Sequence, residues 1–255
     1  MPTARKPRKV LSLLLLNENR TVATSTLISE LWGENPPKSG QTLVQTYILH
    51  LRQLFARAFG LSSAEVAKEL LQTRNGGYAF VLGKGELDLH EYRRWQADGD
   101  QALVAGDDGA AVAAYRRALA EWQGSALLDV EHGHLIAAQV VGLEQSRLTV
   151  TERKIEAELR LGRHHDTLSE LAALVLTHPF HEGLHAHFML ALYRSGNRNR
   201  ALEIFGHLRT SLVSELGIEP APKLQRLHRA ILTAEPGLDP PGTGPEAVDR
   251  LRFTG

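Results

Sequence analysis

Apolar positions dominate the stretch from Pro7 to Leu16, which opens with Arg8 and Lys9 and stops at Asn17-Glu18-Asn19. Leu, Arg and Lys are good helix formers, so the run predicts a first helix. A second, short helix is predicted to end at Leu31-Trp32-Gly33. Thr24 or Ser25 is suited to cap its start, because a hydroxyl accepts from a free amide. The segment Gly33 to Gly40 contains Pro36 and Pro37, neither of which fits a helix interior, and so predicts a loop. From about Gln41 to Ala58, the residues Val44, Tyr47, Ile48, Leu51, Phe55 and Ala58 recur at three- and four-residue spacing, forming one buried stripe of a third helix. A helical segment from Ser62 to Glu69 follows. The period then changes: Leu70 to Leu82 holds two short β-compatible runs joined through Asn75-Gly76-Gly77, a hairpin signature.

Beyond Leu87 the pattern is helical almost to Leu232, with Gly106, Gly162 and Gly196 each ending one helix before another. Five residues after each glycine lie Ala111, Thr167 and Ala201, and nine after lie Tyr115, Leu171 and Phe205. Gly162 and Gly196 are 34 apart, the tetratricopeptide (TPR) period, and small-x-x-x-large is that repeat's second-helix signature. Pro179 stands where the repeat needs its helix stopped, and Trp95 and Gly99 fit first-helix positions. A long helix, about Leu135 to Leu161, fills the gap between the first and second repeats. Gly217, Pro220 and Pro222 then make a stiff turn, and Leu224, Leu227 and Ile231 seat a last helix. The expected fold is mainly α: an N-terminal winged helix-turn-helix with a β-hairpin wing over residues 1–83, then an all-α TPR-like domain over 87–235. The Pro- and Gly-rich segment 236–255 is expected to be a flexible tail.

Charge sharpens this division. Lys plus Arg and Asp plus Glu both total 29, yet residues 1–83 hold ten basic and five acidic side chains, and the remainder nineteen and twenty-four. A basic head precedes an acidic body. With no Cys, disulfides, thiolate nucleophiles and Cys-ligated metals are excluded. The apolar run Val10 to Leu16 is far shorter than the roughly 20 residues that span a bilayer, and no small-residue cleavage site follows it, so a cytoplasmic protein is expected.

The face of the third helix opposite its apolar stripe carries Thr42, Gln45, Thr46, Leu49 and Gln53, flanked by His50, Arg52 and Arg57. Short hydroxyl and amide side chains suit base edges in a major groove, and Arg at the flanks suits phosphates. Taken alone, this face also fits an ordinary solvated surface. Here the segments Leu31-Trp32-Gly33-Glu34-Asn35-Pro36-Pro37, Thr42 to Arg52 and Asn75-Gly76-Gly77-Tyr78 resemble the OmpR-type DNA-binding domain of the Streptomyces antibiotic regulatory proteins (SARPs). The run Leu212 to His228 resembles the close of their bacterial transcriptional activator domain (BTAD). The resemblance covers roughly residues 5 to 235. It implies a transcriptional activator whose third helix enters the major groove while Arg74 on the wing approaches the minor groove or its phosphates. It further implies two copies on direct repeats near the −35 element of secondary-metabolite promoters, as a homodimer on double-stranded DNA. RNA polymerase holoenzyme would be recruited through its sigma factor and neighbouring subunits. The expected roles are base reading by Thr42, Gln45, Thr46 and His50, and phosphate or groove contacts by Lys38, Arg52, Arg57 and Arg74. Gln53 and Asn75 complete the DNA-facing set, and Glu34, Asn35, Pro36 and Pro37 are expected to touch polymerase. Two departures stand out. Where the family usually has a small polar and then a basic residue, this chain has Leu49, suited to a thymine methyl, and His50. The family also places strands ahead of its first helix, whereas this chain starts almost at that helix.

Catalytic readings are weaker. His181-Glu182-Gly183-Leu184-His185 matches the H-E-x-x-H zinc-protease pattern, but it opens a repeat helix, carries a helix-weakening glycine and lacks a continuation motif. Neither a phosphate-binding Gly loop nor a Gly-x-Ser-x-Gly elbow is present. No enzyme activity, cofactor or metal is expected. The alternatives are a TPR-type interaction adaptor carrying a winged-helix module, or a repressor with the same domains.

Overall fold

The computed structural model describes Pro2, residues 4–83 and residues 85–239. The N-terminal elements, in chain order, are α1 (Arg5–Leu16), β1 (Val22–Ala23), α2 (Thr24–Trp32), α3 (Gly40–Phe59), α4 (Ser63–Glu65), β2 (Leu71–Arg74) and β3 (Gly77–Phe80). Then follow α5 (Asp88–Val104), α6 (Asp108–Ala120), α7 (His134–Arg160), α8 (His164–Thr177), α9 (Glu182–Arg194), α10 (Arg198–Ser211) and α11 (Pro222–Thr233). The chain divides into two compact units: Met1–Glu91 with Ala120–Leu148, and Tyr92–Leu119 with Thr149–Gly255. Among the described residues, no helix is long and apolar enough to cross a membrane.

In the first unit, Val10, Leu13 and Leu14 of α1, Leu27 of α2 and Val44, Ile48 and Leu51 of α3 are buried in one core. β2 and β3 form the expected hairpin around Asn75-Gly76, and β1, which the sequence pattern does not announce, pairs antiparallel with β3 to give the order β1-β3-β2. That pairing needs a glycine at position 77, where a Cβ would stand 2.1 Å from the Val22 carbonyl oxygen. It also changes how α2 begins. Ala23, not Thr24 or Ser25, occupies the N-cap position, without a side-chain cap, and the Thr24 amide donates to the Gly76 carbonyl at 2.9 Å. The wing backbone thus satisfies a donor expected to need a hydroxyl. α4 opens with a reciprocal capping box between Ser62 and Glu65, whose bonds hold the Glu65 carboxyl below its ordinary pKa, and it continues as a π-wound turn over Val66–Leu70. Ala58, expected on the buried stripe of α3, is exposed, and Ala56 packs against the core instead. The last turn of α3 outruns the layer beneath it, which also leaves Phe59 62% exposed.

Residues from further along the chain complete this core. Val130 and Ile136 are buried in it, with Leu127, Leu135 and Val140 against it. Glu30 of α2 is only 2% exposed, and its carboxylate accepts from the amides of Gly133 at 2.8 Å, Leu135 at 2.9 Å and Ile136 at 3.4 Å. These are the donors that the first turn of α7 leaves unpaired, and a negative charge there also complements the helix dipole. Arg8 donates to both the carbonyl and the carboxylate of Asp129 at 2.9 Å.

The second unit is built from helix pairs. Gly106, Gly162 and Gly196 have φ of 76°, 77° and 78°, and α6, α8 and α10 each begin two residues later. Ala111, Thr167 and Ala201 are fully buried, as are Tyr115 and Leu171, with Phe205 8% exposed. Small residues let the helices approach where large ones fill the crossing. Gly99 serves the same end, since a Cβ there would lie 2.4 Å from the Tyr115 ring. The end of α7 supplies the first helix of the second pair, and α11 seats Leu224 and Ile231 in the core as the last helix. The tail expected from Pro236 is structured at its start. Pro236–Leu238 forms a 3-10 turn, and Arg194 donates to the Leu238 carbonyl at 2.8 Å, which anchors the segment. The rest of that expected tail, from residue 240, lies outside the described residues.

Candidate nucleic-acid interface

α3 is long because its sequence from Gly40 to Phe59 contains no proline or internal glycine, and Gly60, at φ 68°, ends it. Its core stripe fixes what the opposite face shows. Thr42, Gln45, Thr46, Leu49, His50 and Gln53 are all exposed, and Leu49 presents 51% of its surface. The expected readers are therefore brought together on one helix face. Thr46 Oγ1 donates to the Thr42 carbonyl at 2.9 Å, which fixes its rotamer and leaves the oxygen lone pairs outward. Towards the C-terminus His50, Gln53, Leu54, Arg57 and Ala58 line a shallow depression of about 380 Å³. Arg57 is exposed in the last turn, the favourable end of the dipole for a cation.

The wing places its two expected residues differently. Asn75 is exposed at the turn tip. Arg74 is half-buried: its Nε donates to Gln72 Oε1 at 3.2 Å and its Nη1 to the Asn19 carbonyl at 3.1 Å, so its guanidinium is aimed by the sheet it grows from. Arg52 is the largest departure from expectation. Its Nε and Nη2 both donate to the Leu71 carbonyl, at 2.9 and 2.7 Å, and Nη2 also donates to Thr73 Oγ1 at 2.9 Å. Burial pulls its pKa below the ordinary arginine value. Two of the three guanidinium nitrogens expected to face a phosphate are thus engaged by β2.

In the loop before α3, Glu34, Asn35, Pro36, Pro37 and Lys38 are all exposed, after Gly33 at φ 62° and before Gly40, whose amide donates to the Pro37 carbonyl at 2.8 Å. The members of the H-E-x-x-H segment have partners within the second unit. His181 Nδ1 accepts from the Leu184 amide at 3.3 Å as the cap of α9, His185 Nδ1 lies 3.1 Å from the His181 carbonyl, and Glu182 accepts from the Ala221 amide at 2.7 Å. Among the described residues, no three His, Asp or Glu side chains converge in a metal-binding group. Sequence reasoning missed Glu30 and the partners of Arg52. A charged residue on the stripe of Leu27 and Leu31 was the available signal for the first.

Comparison with known proteins fits both ends of the chain. The family described as "Bacterial transcriptional activator domain" matches residues 87–232, and "Transcriptional regulatory protein, C terminal" matches residues 2–80. "Regulatory protein DnrI" of Streptomyces peucetius is 46% identical over 96% of this chain and 89% of its own length. "Regulatory protein AfsR" of Streptomyces coelicolor is 38% identical over 91% of this chain, which spans only 22% of that protein. The solved structure of Mycobacterium tuberculosis EmbR in complex with a low-affinity phosphopeptide superposes with a TM-score of 0.85 at 31% identity, covering 92% of this chain and 61% of that one.

Proposed function

Because the chain belongs to the Streptomyces antibiotic regulatory protein family of transcriptional activators, we propose that it binds double-stranded promoter DNA as two copies on direct repeats near the −35 element. From there it recruits RNA polymerase holoenzyme, through the sigma factor and neighbouring subunits, to switch on genes for a secondary metabolite. The observation that carries this reading is the exposed face of α3, where hydroxyl, amide, imidazole and one apolar side chain share a helix beside a wing that bears Arg74.

Residues 1–83 act as the DNA-binding domain and 87–235 as the activator domain. Thr42, Gln45, Thr46 and His50 read base edges, and Leu49 sits against a thymine methyl. Lys38, Arg57, Arg74 and Asn75 contact phosphates or groove walls, with Gln53 beside them. Glu34, Asn35, Pro36 and Pro37 offer polymerase a stiff, exposed loop. The net negative charge of the remaining sequence disfavours its lying along phosphate and leaves it for protein contacts.

The test is a gel-shift series with a direct-repeat promoter fragment and a purified transcription assay. Arg74→Ala should weaken binding to every sequence and lower the salt slope, while Gln45→Ala should mainly relax sequence preference. Transcript should rise on addition of the protein. A fall would make the chain a repressor, and the absence of any shift would leave an interaction adaptor.

A further inference from the structure

We propose that Arg52 is a positioning residue that buckles the reading helix to the wing, rather than a phosphate anchor; this rests on the DNA-binding reading above. β2 is an edge strand, so the carbonyls on its outer side have no strand partner. Leu71 is fully buried, and a buried carbonyl without a partner is costly. Arg52, three turns into α3, supplies two N–H groups to that carbonyl and shares one with Thr73 Oγ1 two residues along the same strand. A planar fork can hold two acceptors at a fixed mutual angle, which a single ammonium cannot. Among the described residues, no carboxylate pairs with it, so the cation is held by neutral acceptors and its charge is not cancelled. Swinging it out to a phosphate would strip the Leu71 carbonyl. The strand it grips ends at Arg74, so the angle of the wing to α3 and the aim of Arg74 are set by the same contact. On this assignment, bases read by α3 and backbone contacts made by the wing stay in a fixed register.

The experiment measures promoter-duplex affinity of the full chain by fluorescence anisotropy over a salt series, with Arg52→Lys, Arg52→Gln, Thr73→Val and Arg74→Gln, singly and with each position-52 or position-73 change placed in the Arg74→Gln background. Lysine still serves as a point-charge phosphate contact but cannot span both acceptors. The buckle therefore expects Arg52→Lys to lose about tenfold in affinity, and Thr73→Val to lose in the same direction. Neither should lose further once Arg74 is already gone, the non-additivity of residues acting through one another. Without DNA, both should speed amide exchange across β2 and β3. The proposal is overturned if Arg52→Lys binds like the unaltered chain while Arg52→Gln lowers the salt slope by about 0.9 in both backgrounds, the signature of one lost phosphate. Unchanged wing exchange in Thr73→Val, which keeps every charge, overturns it too. If the unaltered chain binds no promoter duplex, the functional reading fails, and the exchange data still decide the buckle.

Discussion

At the scale of single residues, the fold depends on a few positions where one atom more or one charge less has no room. Gly77→Ala forces a Cβ into the Val22 carbonyl, so β1 must separate from β3 or the hairpin must shift. The expected cost is about 1–3 kcal/mol, read as a lower urea midpoint. An unchanged midpoint would mean that β1 contributes nothing. Titration offers a second test. Burial lowers the pKa of His185 and of His187, with the opposing charge of Glu156 facing the latter too weak to reverse it. Their folded forms bind protons less readily than the unfolded chain, whose histidines titrate near about 6.5. Stability contributed by the neutral rings is present above that pH and is lost as pH falls through it towards the lowered folded values. The melting temperature is expected to drop between pH 7 and 5.5, and the drop should shrink in His185→Gln and His187→Gln. A pH-independent melt would count against burial of both rings.

Elements show what was legible in the sequence and what was not. Periodicity placed α3 and the repeat helices well, because helices pack on one side and the spacing of Val44, Ile48 and Leu51, or of Ala111 and Tyr115, records that side directly. The exposure of Thr42, Gln45, Thr46, Leu49 and Gln53 on the opposite face followed by geometry. What stayed hidden depends on partners distant in sequence. Two residues, Val22 and Ala23, make a strand only because β3 is present to receive them. Nε and Nη2 of Arg52 donate to a strand nineteen residues on, and no local pattern announces those bonds. Glu30 reads as a surface charge until the start of α7 lies against it. Replacing it by Gln keeps the shape but puts an NH2 group where amides need an acceptor. The expected loss is about 2 kcal/mol, seen as faster amide exchange at Gly133 to Ile136, and unaltered exchange there would remove the capping role.

On the scale of the whole molecule, the first compact unit is not one continuous stretch of chain. Its core takes Val130 and Ile136 from beyond residue 119, and a salt link joins Arg8 to Asp129. A fragment ending at residue 83 lacks these and exposes the side of α2 that holds Glu30. It is expected to unfold at lower urea than the same elements in the full chain and to bind promoter DNA more weakly. Equal midpoints by tryptophan fluorescence, with Trp95 and Trp122 of the full chain replaced by Phe so that Trp32 alone reports, would show the winged helix to be self-sufficient.

The capping of α7 by Glu30 also sets an order of events during protein synthesis. The carboxylate and the amides it receives are 103 to 106 residues apart. At about 5–20 residues per second, the ribosome has made α1 to α3 and the hairpin, which ends at Phe80, about 3–11 seconds before it reaches Ile136. During that interval the nascent head carries an open flank and a hydrated Glu30, and it closes only once the residues up to Ile136 have been made. A chain that stops before residue 136 therefore has α3 and the wing without their completed support, and is expected to compete for DNA only weakly with the full-length product.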